Sequence, residues 1–123
     1  MEGLIANALI HVNGSSVEFG TRKLSLENCP LTLRLFKFMA ASPTQTRARN
    51  EVLKEIYGTS LEDCSSDRLA RSNRHNLVKL ISRSRSIAKS KLTDPKTGRL
   101  RWFSYDHEDD AWTLVVTKNG NIH

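Results

Sequence analysis

Cysteines and long apolar runs are scarce in this chain of 123 residues. Cys29 and Cys64 are too few for a disulfide framework and lack the C-x-x-C or histidine-rich spacing of a zinc site, so both are expected as free thiols. Patterns that carry catalysis are missing too. There is no Gly-rich phosphate cradle, no nucleophile elbow and no H-E-x-x-H, and neither cysteine has an evident basic partner to make a thiolate. The expectation is therefore no enzymatic activity, no metal and no other cofactor. His107 beside Glu108, Asp109 and Asp110 offers metal-type ligands, but four polar residues in one turn read as a solvated tip. The apolar run from Leu4 to Val12 is broken by Asn7 and His11 and has no basic leader. Neither a signal peptide nor a membrane span is expected, and the expected location is cytoplasmic.

Positive charge is abundant, and it is concentrated. Between Asp67 and Arg101 stand eleven Lys or Arg residues against two acids, whereas residues 1–66 are balanced and residues 102–123 are net acidic. Charge gathered in one third of a chain points to a polyanionic partner.

The length fits one domain over residues 1–123, of α+β class. Ile10, Val12, Val17, Phe19, Leu24 and Leu26 alternate with polar residues, predicting short antiparallel strands in an N-terminal sheet within 4–26. Asn13-Gly14, which also begins a glycosylation-type triplet, reads as a hairpin turn. A three-helix core is predicted over 28–92. Leu31, Leu35, Phe38 and Met39 form the stripe of the first helix, with Asn28 as N-cap. Val52, Leu53 and Ile56 face inward from the second, over Arg49 to Tyr57, which Gly58 terminates. The third runs from about 67 to 92. Its Leu77, Leu80, Ile81, Ser84, Ile87 and Ala88 share one face, while His75, Asn76, Lys79, Ser82, Arg83, Ser86 and Ser90 lie on the other. A terminal hairpin over 99–116 and a tail over 117–123 complete the chain, and the hairpin aromatics Trp102, Phe103, Tyr105 and Trp112 are read as a lid over the helices.

Specific stretches resemble the OmpR/PhoB-type winged-helix domain, the DNA-binding half of many bacterial response regulators. Residues 30–39 with Ser42-Pro43 look like that family's first helix and its terminating proline, and Arg49 to Gly58 is similar to its second. Ile81-Ser82-Arg83-Ser84-Arg85 resembles the core of its recognition helix, and Ala111-Trp112-Thr113-Leu114 its closing strand. The resemblance covers roughly residues 9–116. It implies a winged helix-turn-helix that binds double-stranded DNA in transcription regulation; a homodimer on repeated half-sites is common among such domains, and the oligomeric state stays open. The loop 59–66 stands where the family faces RNA polymerase. Three positions depart from the pattern: Ser84 replaces a buried Leu, Ala48 a capping Ser, and the tip 106–110 is acidic rather than basic or Gly-rich.

A major-groove helix needs donors for guanine or an amide for adenine. Arg83 is the first candidate base contact, by position and by resemblance, with Asn76 and Lys79 on the same side. Arg71, Arg74, His75, Ser82, Arg85 and Ser86 suit phosphates, and Arg99 and Arg101 suit phosphates beside the hairpin. A rival reading is a protein-interaction module on the same fold, favoured by the acidic tip, the Leu61-Glu62-Asp63 loop and Ser84. A basic helix face that is merely solvated is the plain alternative to both.

Overall fold

Three short strands, β1 (His11–Asn13), β2 (Ser16–Phe19) and β3 (Arg22–Ser25), form an antiparallel sheet in the order β1-β2-β3. The computed structural model describes residues 10–58, 67–93 and 100–117, with residues 67–71 and 117 described by their backbone only. Val17 lies opposite both Val12 and Leu24, so the alternation read from the sequence puts one apolar face inward. Gly14 and Gly20 turn the two hairpins with φ of +64° and +63°, a conformation that a side chain would strain.

The first helix, α1 (Pro30–Ala40), begins one residue later than an Asn28 cap would place it. The Leu33 amide bonds to the Cys29 carbonyl at 2.9 Å, which makes Cys29 the boundary residue, without a side-chain cap. Its buried stripe is also turned from the one expected. Thr32, Leu35, Phe36 and Met39 are buried, while Leu31 is 39% exposed and Phe38 half-buried. Three contacts set this rotation. Phe36 meets Phe103 edge-on at 5.4 Å, Thr32 accepts a hydrogen bond from the buried Ser84 hydroxyl at 3.2 Å, and the Arg47 guanidinium lies 4.1 Å over the Phe38 ring. Ser84, polar on a buried face, thus has its partner on α1.

In α2 (Arg49–Tyr57), Val52, Leu53 and Ile56 are buried and Gly58 closes the helix at φ +80°, as the pattern predicts. Ala48 supplies no side-chain cap. The Glu51 carboxylate instead accepts the Ala48 N–H at 2.9 Å, half of a capping box. The third helix, α3 (Asp67–Lys91), carries eight Lys or Arg residues and a single acid. It buries Leu77, Leu80, Ile81, Ser84 and Ala88, as its periodicity predicts, with Ile87 half-buried.

A strand that periodicity did not reveal, β4 (Thr46–Ala48), pairs with β6 (Ala111–Thr117), which pairs in turn with β5 (Leu100–Asp106). All pairings are antiparallel, so the terminal hairpin is two strands of a three-stranded sheet. Gln45, just before β4, is buried with φ +58°. Its side-chain oxygen accepts the Ile10 N–H at 3.0 Å and its carbonyl accepts the Leu114 N–H at 2.8 Å, which ties the two sheets together.

Phe103 also has positive φ, +52°, and this break in the strand lets the consecutive Trp102 and Phe103 both face inward. A left-handed non-glycine residue without support would cost roughly 1–2 kcal/mol. Arg85 supplies support from α3. Its Nε donates to the Trp102 carbonyl at 3.0 Å and its Nη2 to the Phe103 carbonyl at 2.9 Å. Trp102 and Trp112 are buried with Phe103, as a lid requires, whereas Tyr105 is 37% exposed. Buried side chains from both sheets and all three helices form one cluster. Among the described residues, no helix is long and apolar enough to cross a membrane.

Candidate nucleic-acid interface

One long helix with a buried side leaves the rest of its circumference free, and the basic residues of α3 divide over that free arc. Asn76, Lys79 and Arg83, spaced i, i+3, i+7, form one exposed ribbon, with His75, Ser82 and Ser86 exposed beside it. All six residues thus lie where side chains can meet a large partner. Arg83 lies on one flank of this arc, and its charge is felt by the Tyr57 phenol at the end of α2.

The other flank of α3 faces the terminal hairpin across a groove of about 550 Å³. Arg74 and Ser82 line it from the helix, with Arg49 from α2 and His107 from the tip. Arg74 is half-buried and has no ion pair among the described residues. Arg85 reaches this flank too, but its guanidinium is engaged by the two β5 carbonyls. It therefore braces the hairpin rather than standing free for phosphate. Arg101 is exposed on β5. The Arg71 side chain, Arg99, Cys64 and the loop 59–66 lie outside the described residues; Cys29 is a half-buried free thiol.

The acidic tip is organised by its own hydrogen bonds. Asp110, at φ +52°, pairs with Arg49 at 3.1 Å and accepts the Tyr105 hydroxyl. Its carbonyl also accepts the Arg49 N–H at 2.9 Å, and Asp106 accepts the Glu108 N–H at 2.9 Å. Arg49 thus joins the start of α2 to the hairpin, with its Nε left without a hydrogen-bond partner among the described residues. Nothing in the periodicity marked Arg49 for this task, since its partner lies 61 residues away in Asp110. Among the described residues, no three of His, Cys, Asp and Glu converge as a metal site would require.

Both tyrosines of the chain hold their protons more tightly than a free phenol does. Burial pushes Tyr57 up, with Arg83 opposing; the hydrogen bond to Asp110 pushes Tyr105 up, assisted by burial and the Asp110 charge and opposed by Arg49. Absorbance at 295 nm in the folded protein is expected to rise at higher pH than in the urea-unfolded chain. Raised values mean that this contribution to stability is complete below the unfolded phenol value of about 10 and is lost as pH climbs through the folded values. Coincident folded and unfolded titrations would remove both the Tyr105–Asp110 bond and the burial of Tyr57 from the description.

The chain matches no protein-family model, no curated protein and no solved structure.

Proposed function

We propose that the chain is a winged-helix module of a cytoplasmic transcriptional regulator that binds double-stranded DNA sequence-specifically, with α3 in the major groove. The observation that carries this reading is the exposed arc of α3, where Lys79 and Arg83 stand with Asn76, His75, Ser82 and Ser86 opposite an apolar side that is buried. A helix so presented fits the width of the major groove and offers donors to base edges. The terminal hairpin, fastened beside α3 by Arg85, supports the comparison with a wing, although its acidic tip is suited to lie away from the phosphates.

In this reading Arg83, Asn76 and Lys79 meet bases. Arg74, His75, Ser82, Ser86 and Arg101 meet phosphates, as do Arg71 and Arg99 by their sequence positions. Arg85 is assigned to structure. On a duplex selected from a random library, Arg83→Ala should cost about 1–3 kcal/mol and relax sequence preference. Arg74→Ala should weaken selected and random duplexes alike. Equal losses on both duplexes from both variants would reject this division of roles.

A second reading, a protein-interaction module, is favoured by the acidic tip that Arg49 and Tyr105 hold in place. It is compatible with a polymerase contact through the loop 59–66. Failure to bind random duplex at low salt would select it over DNA binding.

A further inference from the structure

We propose that the groove between α3 and the terminal hairpin is a binding site for a small aromatic carboxylate, a site that stands independently of the DNA reading. Its volume, about 550 Å³, lies within the span of roughly 300–1,000 Å³ typical of small-molecule pockets. Two kinds of wall meet there. Val78, 58% exposed, and Tyr105, 37% exposed, line it with the largely buried Trp112, whose ring lies 5.2 Å from that of Tyr105 at 51°, and together they offer an apolar and aromatic slot. Beside them are three guanidiniums: Arg85 is held by two β5 carbonyls, Arg49 is paired with Asp110, and Arg74 has no ion pair among the described residues.

The lining therefore carries more positive charge than the protein itself neutralises, next to a surface that favours a flat, apolar body. A lone phosphate would answer the guanidiniums and leave Val78 and Tyr105 wet. A neutral aromatic would cover the slot and leave Arg74 without an acceptor. A carboxylate on an aromatic ring meets both requirements, since the guanidinium fork matches its two oxygens and the ring removes apolar surface from water.

The test titrates 2-naphthoate, with naphthalene-2-carboxamide as its uncharged counterpart, into isotope-labelled protein near neutral pH and follows amide and Trp112 indole resonances. Saturable shifts confined to residues around the groove are expected, with the amide binding more weakly. Arg74→Gln should weaken naphthoate about tenfold, the loss of one charged hydrogen bond. Val78→Asp should abolish saturation. Lys37→Gln, in the separate cleft between α1 and α2, should change nothing. Dispersed spectra of each variant establish that it is folded. Non-saturable shifts, equal affinity for acid and amide, mapping to another surface, or undiminished binding by folded Arg74→Gln and Val78→Asp proteins would each overturn the proposal.

Discussion

Phe36→Ala is expected to lose about 4 kcal/mol of folding free energy, the middle of the range for emptying a buried aromatic site. The side chain is wholly buried, and its ring sits edge-on to Phe103 at 5.4 Å and 73°, a geometry worth about 0.5–1.5 kcal/mol beyond burial. Because domains of this kind retain only about 5–15 kcal/mol in all, the variant should unfold at a far lower urea concentration. Phe38→Ala, two residues along, should cost much less. Phe38 is half-buried, and removing its ring exposes the Arg47 guanidinium to water rather than opening a void. Urea midpoints of the two variants at unchanged slope make the comparison. A loss from Phe38→Ala equal to that from Phe36→Ala would mean that α1 sits in the orientation its sequence pattern first suggested.

The second large effect concerns ionic strength. If α3 and its neighbours neutralise about six phosphates, the logarithm of the binding constant should fall against the logarithm of salt with a slope near −5, which is a loss of about a thousandfold between 50 and 200 mM. Fluorescence anisotropy of a labelled duplex measures it. With Arg85 set aside, the other Lys and Arg residues of α3, set against one acid, can supply that number without help from the hairpin tip. A flat dependence over this range would remove the counterion release on which the major-groove assignment depends. Both duplex types should show the decline, since phosphates carry no sequence information.

Period alone made β1 to β3, α2 and α3 legible, because their apolar residues recur in only one phase that buries them. In α1 two phases compete: Leu31 and Phe38 serve one and Thr32 and Phe36 the other, while Leu35 and Met39 belong to both. The choice was made by Ser84 and Phe103, far away in sequence, and no local pattern records it. The same holds for β4. Three half-buried residues, Thr46 to Ala48, have no alternation of their own and become a strand because β6 offers them partners.

For the candidate site, exposure of His75, Asn76, Lys79, Ser82, Arg83 and Ser86 was readable from the helix period. What each arginine does was not. Arg74, Arg83 and Arg85 are alike in the sequence, yet one lines the groove without an ion pair among the described residues, one is exposed with its charge felt by Tyr57 and one is held by main-chain carbonyls. Their divergence follows from which neighbour lies across each flank of α3, a fact of tertiary packing.

Main chain, rather than side chain, receives the Arg85 guanidinium at residues 102 and 103, and every amino acid brings a carbonyl. Trp102 and Phe103 turn their side chains into the core and leave these carbonyls to α3, so loss of the single arginine gives up both bonds at once. The long helix and β5 are thereby joined through one side chain at two adjacent carbonyls, so a change at residue 85 is felt by both parts together.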